Sequence, residues 1–299
     1  MLGFAGHGFA AKGRDGAVTD ERVIPVIGTG ISPLKIFVVV NGMKALKAIV
    51  KSSLESLGLE VRRKMDTSVT FPVEFSQEER ALVQRITEKG LTMASYQRLF
   101  ATALACKHVV AQGIEGAFVE CGVWRGGNSI LAASILRSSE GARSVYLFDT
   151  FSGMTRPSED DVQLQTKQPA MRTFAATETN EASTWCLASI EDVRANLKAF
   201  GIDPETLRLV MGDVCETLEV AENLPEKISV LRLDTDWYES TKKELEVLYP
   251  RLVSGGILIV DDYGHWAGSK KAVDEYFARM GHLPFFQFTD RTGRCAVKP

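Results

Sequence analysis

Residues 118–129 read FVECGVWRGGNS, and this stretch decides the fold class of the chain. An apolar run, residues 117–119, ends in the acidic Glu120 and passes directly into a glycine-rich turn. A helical apolar pattern follows over residues 128–136. A strand, a tight glycine turn and a helix, in this order, are how a doubly wound α/β sheet presents backbone N–H groups to a nucleotide-like ligand.

The spacing of the glycines differs from that of the dinucleotide fingerprint Gly-x-Gly-x-x-Gly. Gly122 is followed by Gly126 and Gly127. The acid before the first glycine suits an ammonium or hydroxyl group better than a pyrophosphate. The pattern therefore favours S-adenosylmethionine over NAD as the ligand. The alternative is a plain strand-to-helix connection without a ligand.

A second acid stands at the tip of the next predicted strand. Residues 144–148, SVYLF, indicate a buried strand, and Asp149 follows it directly. An acid in this position accepts hydrogen bonds from the two hydroxyls of a ribose. The alternative is that Asp149 is a helix cap or a turn residue.

Length, composition and charge narrow the classes of function. The 299 residues allow one large domain or two small ones, and 45% apolar with 24% charged residues is ordinary for a soluble globular protein. A net charge of −3 argues against an electrostatic nucleic-acid surface, so we expect no nucleic-acid partner.

The cysteines and the apolar segments indicate a cytoplasmic protein. The five cysteines contain no Cys-x-x-Cys pair, which fits a reduced intracellular protein better than a disulfide framework or a zinc site. The most apolar stretch, residues 23–40, is interrupted by two prolines and a lysine. We therefore expect no integral membrane span, and peripheral membrane contact stays open.

Residues 1–65 are predicted to be an N-terminal extension, because they lack the alternation of strands and helices found later. Within it, residues 43–64 have the pattern of a basic amphipathic helix. Such a helix would dock on a membrane or a partner, pack on the domain, or form a homo-oligomer. Residues 66–299 form the second predicted domain, which begins with two helical patterns between residues 76 and 112.

Strands then alternate with helices, which predicts a doubly wound, mostly parallel α/β sheet. The predicted strands are 117–121, 145–148, 208–211, 230–233 and 257–260, and the predicted helices are 129–136, 189–200, 240–248 and 269–280. Thr241 and Glu244 have the spacing of a capping box in the third of these helices. Two apolar runs, 285–288 and 295–298, predict an antiparallel hairpin at the sheet edge.

Acidic residues follow the fourth and fifth predicted strands. Asp234 comes directly after one strand, and Asp261 and Asp262 come after the next. The carboxyl ends of neighbouring parallel strands meet at one edge of a sheet, so these acids should lie together and repel one another unless a cation neutralises them. Hard oxygen ligands of this kind suit Mg²⁺. The alternative is a turn at Asp261 and Asp262 with Asp234 solvated.

The nearby Asp236 has two interpretations of its own. It is placed to cap the helix that follows Asp234, or it touches the metal.

Four motifs together resemble the macrocin O-methyltransferase family. They are FVECGVWRGGNS (118–129), LFDTFSGM (147–154), LRLDTDWYEST (231–241) and SGGILIVDDY (254–263). The resemblance runs from about residue 90 to residue 298. Members of the family methylate hydroxyls on sugars of natural products, using S-adenosylmethionine and Mg²⁺. The resemblance implies the same fold, reaction and cofactors here, with a glycoside as the acceptor.

The resemblance also implies roles for residues in the cofactor site. It puts Glu120, Gly122 and Ser129 near the methionine end of the cofactor and Asp149 at the ribose. Gly212 and Asp213, at the end of the third strand, would flank the adenine. The remaining predicted cofactor contacts belong to the same motifs, and they are Gly126, Gly127 and Ser152.

The acceptor side is assigned in the same way. The resemblance gives Asp234, Asp261 and Asp262 to the metal, with Asp234 also a candidate base. Two positions depart from the family pattern: Thr235 replaces a glycine between the two acids, and Val214 replaces an aromatic residue.

Methyl transfer to a hydroxyl needs a more acidic acceptor than a free sugar. A vicinal diol that chelates Mg²⁺ would gain that acidity, so we expect a glycoside diol as the acceptor, with a catechol as the alternative. Asp234 or His265, in the loop beyond the acid pair, would take the proton. An ordinary loop histidine is the alternative for His265.

Residues 151–185 have few periodic signals and are rich in threonine, serine and charge. A segment of that length predicts a lid over the cofactor cleft, with a disordered insertion as the alternative. Two other classes of function compete with the methyltransferase interpretation. A nucleotide-dependent oxidoreductase would need the Gly-x-Gly-x-x-Gly fingerprint. A non-catalytic protein of the same fold has no reason to keep Glu120, Asp149 and the three metal acids.

Overall fold

The computed structural model describes residues 69–137, 143–179 and 183–299. Thr70–Pro299 forms one compact unit. The predicted extension 1–65, its amphipathic helix 43–64 and the apolar stretch 23–40 lie outside the described residues, so the predicted division into domains stays a prediction. Within the described ranges, no helix is long and apolar enough to cross a membrane.

The unit is built on a seven-stranded sheet in the order β3-β2-β1-β4-β5-β7-β6. The strands are β1 (Ala117–Cys121), β2 (Val145–Asp149), β3 (Arg208–Met211), β4 (Ile228–Leu233), β5 (Leu252–Val260), β6 (Gln287–Phe288) and β7 (Arg294–Val297). The first five are parallel, and β7 pairs antiparallel with both β5 and β6. The doubly wound sheet with a C-terminal hairpin is therefore confirmed.

Helices connect the strands and cover the sheet. They are α1 (Gln77–Glu88), α2 (Tyr96–Ala111), α3 (Gly127–Leu136), α4 (Ala170–Thr177), α5 (Ile190–Ala199), α6 (Val214–Thr217), α7 (Tyr238–Leu248) and α8 (Ala267–Met280). Among the packed helix pairs are α2 with α3 and α7 with α8. Both β1 and β4 are buried along their whole length. Central parallel strands are covered by helices on both faces, and this explains their nearly continuous apolar sequences.

Two strands begin earlier than their apolar runs indicate. Strand β4 begins at Ile228 and β5 at Leu252, and the register between them shifts near Ser229. Polar residues and glycines interrupt the apolar runs at these positions, and Ile228 pairs with Leu252 before regular pairing resumes at Val230 and Ile257. Because the apolar pattern follows side chains and not backbone hydrogen bonds, it placed the start of both strands too late.

The predicted capping box at Thr241 and Glu244 is wrong. Helix α7 begins at Tyr238, so both residues lie inside it and are buried. The N-cap residue is Trp237, which provides no side-chain cap. The Tyr238 N–H instead donates to Asp161 Oδ1 at 2.8 Å, so Asp236 is not the cap either. The acceptor comes from a segment distant in sequence, and local spacing cannot reveal it.

The described part of residues 151–185 is ordered, which excludes the disordered alternative for those residues. It contains α4 and isolated β-bridges that join Val162 to Pro169 and Gln163 to Trp266. Asp161 is fully buried within it and also accepts hydrogen bonds from the N–H and hydroxyl of Ser158, at 2.7 and 2.8 Å. The segment is thus attached to the N-terminal ends of α7 and α8.

Candidate active site

A cavity of about 410 Å³ lies at the carboxyl ends of the parallel strands. Its volume is in the range typical of small-molecule sites. Most of the predicted site residues line it: Glu120, Gly122, Gly127, Asp149, Gly212, Asp213, Asp234, Asp261, Asp262 and His265. Three predicted cofactor residues are absent from its wall: Gly126, Ser129 and Ser152.

The glycines of the 122–127 loop are required mainly because other parts of the chain approach them closely. A Cβ on Gly122 would collide with the carbonyl oxygen of Asp234, and one on Gly127 would collide with that of Leu91. Gly122 and Gly126 also have φ values of 85° and 86°, where glycine is favoured. The loop is therefore packed against the end of β4 and the α1–α2 connection.

Glu120 is almost completely buried beneath this loop, with 1% of its surface exposed. Ser129 donates its hydroxyl to Glu120 Oε2, and its position away from the cavity wall follows from that contact. Burial raises the pKa of Glu120 to about 7, although Arg232 and Ser129 oppose the shift. Ser152 is exposed, and its N–H donates to Thr150 Oγ1 at 3.2 Å.

Asp149 joins the loops that follow β1 and β2. Its Oδ2 accepts hydrogen bonds from the backbone N–H groups of Val123 and Trp124, at 2.7 and 3.0 Å. Its Oδ1 accepts from the N–H of Phe151 at 2.7 Å. The turn interpretation is therefore correct, and the carboxylate still lines the cavity.

The cavity wall continues past the end of β3. Gly212 has a φ of 136°, and the Oδ1 of Asp213 accepts from the N–H of Cys215 at 2.8 Å, which caps α6. Val214 is buried and also lines the cavity. A small side chain here leaves room that an aromatic ring would fill.

The three predicted metal acids meet, as expected from neighbouring β4 and β5. Asp234, Asp261 and Asp262 each offer a carboxylate oxygen, and these oxygens lie within 4.8 Å of one another. We call these three residues the acidic cluster. Burial raises the pKa of Asp262 well above its usual range, and repulsion from Asp236 and Asp261 adds to the shift. The pKa of Asp234 is raised as well, because its carboxylate is partly withdrawn from water and is repelled by Asp261 and Asp262.

A buried arginine neutralises part of this charge, and it is not among the predicted site residues. Arg232 Nη1 donates to Glu120 Oε1 at 2.9 Å and to Asp234 Oδ2 at 2.8 Å. Its Nη2 donates to Asp261 Oδ1 at 2.6 Å. Arg232 is the single charged residue in β4, a fully buried strand. That fact was visible in the sequence and would have indicated a buried counter-charge.

A second arginine reaches the same cluster from α2. Arg98 donates through Nη1 to Asp261 Oδ2 and through Nε to Asp290 Oδ2, the latter at 3.1 Å. Asp290 lies in the β6–β7 connection and also accepts the hydroxyl of Ser95 at 2.5 Å. The C-terminal hairpin is therefore attached to the site through Asp290. No local sequence motif predicts this role of Asp290.

The acidic cluster fits a hard divalent cation. Its donors are all carboxylate oxygens, and Asp262 Oδ2 is buried without a hydrogen-bond partner among the described residues. The two arginines contact oxygens of Asp234 and Asp261 but leave lone pairs on them. This donor set is the one expected for Mg²⁺.

Two further residues line the cavity beside the acidic cluster. The Oδ1 of Asp236 accepts the indole N–H of Trp266 at 2.8 Å, and Asp236 has a φ of 70°. Burial raises the pKa of Asp236 to about 7. Burial, Arg291 and Arg98 lower the pKa of His265, so its imidazole is neutral at pH 7. The backbone N–H of His265 donates to the Asp262 carbonyl at 2.9 Å.

The 151–185 segment completes the wall with aromatic and sulfur-containing side chains. Trp185 packs edge-on against Trp237 and Trp266, with ring centroids 5.5 and 6.1 Å away. Met154 of the segment and Cys186, which directly follows it, also line the cavity. The indole N–H of Trp237 donates to the Thr155 carbonyl at 3.0 Å, which holds the segment against α7.

The strand order, the glycine-rich loop after β1 and the acid at the tip of β2 define a methyltransferase of the S-adenosylmethionine-dependent class. Comparison with known proteins gives the family. Residues 34–287 match the macrocin-O-methyltransferase (TylF) family, and the chain belongs to it. The matched region begins well before the first of the four sequence motifs.

Several characterised proteins are similar to the chain. It is 36% identical over 203 residues to the 8-demethyl-8-(2,3-dimethoxy-alpha-L-rhamnosyl)-tetracenomycin-C 4'-O-methyltransferase of Streptomyces olivaceus, covering 68% of this chain and 73% of that protein. It is 31% identical over 223 residues to the mycinamicin III 3''-O-methyltransferase of Micromonospora griseorubida, covering 72% and 84%. The structure of the O-methyltransferase NovP superposes with a TM-score of 0.59 at 31% identity, covering 69% and 81%. The chain is an S-adenosylmethionine-dependent O-methyltransferase.

Proposed function

We propose that this enzyme methylates one hydroxyl of a vicinal diol on a sugar of a glycosylated natural product, with Mg²⁺ held by Asp234, Asp261 and Asp262. The observation that carries the proposal is the acidic cluster itself. Its carboxylates lie in the same cavity as the glycine-rich loop and include a buried oxygen without a partner among the described residues. A relative whose name gives a rhamnosyl-bearing acceptor supports the choice of a sugar.

On the donor side, S-adenosylmethionine would supply the methyl group to be transferred. Glu120 is suited to the ammonium of its methionine part, because a buried carboxylate gains most from a charge-assisted hydrogen bond. Asp149 is suited to the ribose hydroxyls, and Gly212 with Asp213 to the adenine. Gly122 and Gly127 line the cavity at the loop.

Ser129 and Gly126 would act indirectly in this proposal. Ser129 fixes the Glu120 carboxylate through its hydroxyl, and Gly126 provides the left-handed turn before α3. Ser152 is exposed and stays without a supported role in cofactor binding.

On the acceptor side, bound Mg²⁺ would make the diol more acidic and fix both of its oxygens. Two groups of this chain are able to take the proton. Asp234 belongs to the acidic cluster and lines the cavity, so its carboxylate would lie beside the diol. His265 is neutral at pH 7 and lines the cavity. We assign the proton to Asp234, because Arg291 and Arg98 disfavour a charged His265.

The 151–185 segment would act as a lid over donor and acceptor. Trp185 offers a ring at the cavity wall, and Trp237 and Asp161 attach the segment to α7. Excluding water would strengthen the electrostatic interactions inside the site and prevent side reactions.

We further propose a cytoplasmic enzyme that forms a homo-oligomer through its N-terminal region. The mass of the full chain in solution tests the oligomer.

A panel of acceptors with methyl-labelled S-adenosylmethionine tests the activity. Glycosides with a vicinal diol should become labelled, and matched glycosides with one of the two hydroxyls removed should not. Excess chelator should stop turnover, and added Mg²⁺ should restore it. Label on catechols alone would select the catechol alternative. Label only on nitrogen or carbon acceptors, or full turnover after verified removal of metal, would overturn the proposal.

A further inference from the structure

Arg232 connects the two ends of the active-site cavity. Glu120, one partner of its guanidinium, stands at the end of β1 beside the glycine-rich loop. The other two, Asp234 and Asp261, belong to the acidic cluster at the ends of β4 and β5. Both Arg232 and Glu120 have side chains that are 1% exposed. Water therefore cannot replace either one as a partner of the other.

We propose that Arg232 is a positioning residue through which the charge of the acidic cluster controls the affinity of the Glu120 end for S-adenosylmethionine. This inference rests on the proposed role of Glu120 in cofactor binding. It goes beyond that role, since it makes the donor and acceptor halves of the site interdependent.

The geometry of the guanidinium supports this coupling. Its planar fork donates from Nη1 to both Glu120 and Asp234, and from Nη2 to Asp261, so a single rigid group serves both halves. An arginine stays charged in a protein, and its Nε has no partner among the described residues. If the negative charge of Asp261 is lost, the same positive charge is shared by fewer carboxylates, and its hold on Glu120 increases. Glu120 is then less available to a cofactor ammonium.

Arg98 provides a matched comparison within the same site. It also donates to Asp261, but its other carboxylate partner is Asp290 in the β6–β7 connection, and within the described residues no hydrogen bond joins it to Glu120. If Asp261→Asn changed cofactor affinity by direct electrostatics or through Arg98, the change would not depend on Arg232. The two arginines therefore separate the proposed route from the alternatives.

The test is a set of double-mutant cycles read by calorimetry, with S-adenosylmethionine as the probe, excess EDTA and no acceptor. Asp261→Asn should weaken cofactor binding roughly 5-fold or more in the parent protein. In an Arg232→Lys background the same substitution should change cofactor affinity by less than about 2-fold, because a lysine ammonium does not bridge Glu120 and Asp261 as the guanidinium does. In an Arg98→Lys background the full effect should remain.

A second cycle keeps Arg232 in place and covers the case in which its variant does not fold. Glu120→Gln should abolish the response of cofactor affinity to Asp261→Asn, because the neutral amide no longer competes for the guanidinium. Circular dichroism verifies the fold of each variant. Additive effects in either folded cycle would overturn the coupling. A parent protein that does not bind the cofactor at all would overturn the proposed function instead, so the two failures are distinguishable.

Discussion

The two ends of the cavity neutralise their charges by different means. At the glycine-rich end, Asp149 accepts hydrogen bonds from backbone N–H groups of the two neighbouring loops. In the acidic cluster, Asp234 and Asp261 accept from arginine side chains, and Asp262 has a buried oxygen without a partner in the described part of the chain. Asp149 is thus stabilised by dipoles that any sequence provides, whereas the acidic cluster, like Glu120, depends on specific arginine side chains.

This contrast indicates which end of the cavity is organised for its ligand before the ligand binds. Uncharged backbone N–H groups hold the Asp149 carboxylate in place, so no further charged side chain is needed there. The acidic cluster concentrates like charges that burial makes unfavourable, and two arginines only partly offset them. We therefore expect changes in the acidic cluster to affect chemistry most strongly, and changes at Asp149 to affect cofactor binding.

The largest effect is expected from Asp234→Asn. Losing a metal ligand and candidate base should lower turnover on the order of 10³-fold or more, measured with labelled cofactor and a saturating acceptor. Cofactor affinity, measured by calorimetry, should change by less than about 10-fold. Asp274→Asn on the exposed part of α8 is the control and should retain activity. Substantial turnover by the Asp234→Asn variant would show that the two ends do not divide the work as described.

The next effect concerns the other end of the cavity. Asp149→Ala should weaken S-adenosylmethionine binding by about 10- to 150-fold, because a charge-assisted hydrogen bond is lost and two loops lose a common acceptor. Asp203 is a matched control, since its side chain also accepts a backbone N–H but lies outside the cavity. Asp203→Ala should bind the cofactor normally. Equal affinities for the folded Asp149→Ala variant and the parent would remove the ribose assignment.

A smaller effect is expected where the 151–185 segment joins α7. Asp161→Ala leaves the N–H groups of Tyr238 and Ser158 without their acceptor in a buried position, so unfolding free energy should fall by about 2–3 kcal/mol. Urea denaturation measures the loss. The adjacent Asp160 is exposed and pairs with Lys271, and Asp160→Ala should cost about 0.5 kcal/mol or less. Similar losses for the two variants would contradict the anchoring role of Asp161.

The sequence predicted the glycine-rich end better than the acidic end. Strand, turn and helix around Gly122 follow from local patterns, and backbone hydrogen bonds need no particular partner residue. The sequence also predicted that Asp234, Asp261 and Asp262 lie together, because the doubly wound topology makes β4 and β5 neighbours. Arg232 was hidden because an apolar strand run was read as core alone.

Contacts between segments far apart in the chain explain the other errors. Asp161 caps α7 from 77 residues away, and Arg98 meets Asp290 across 192 residues. Nothing in the local spacing of either residue marks its partner. The helix and the β-bridges in the described part of the 151–185 segment were not predicted for the same reason, since a buried aspartate and a tryptophan cluster hold them and no periodic apolar pattern does.

The smallest effect concerns a buried acid that lies between the two ends. Glu244 on α7 is fully buried, and its Oε1 accepts the hydroxyl of Thr235 at 2.8 Å. Thr235 follows Asp234, and the Cys121 thiol at the end of β1 also contacts this carboxyl. Burial raises the pKa of Glu244 to about 8, with a smaller contribution from Asp213. The folded protein therefore keeps this proton at neutral pH, and the unfolded chain does not.

The sign of the pH dependence follows from that difference. Between pH 4.5 and about 8 the folded state binds one more proton at Glu244 than the unfolded state, so this residue's contribution to stability falls as pH rises. Glu244→Gln keeps the shape and cannot ionise, so urea denaturation should show the variant gaining on the order of 1–2 kcal/mol relative to the parent from about pH 6 to about pH 8. Glu246→Gln, on the exposed face of the same helix, should show no such gain. If the Glu244→Gln variant and the parent had parallel stability profiles, the carboxyl would be ionised in the folded protein, and its negative charge would have to be counted with those of the two ends.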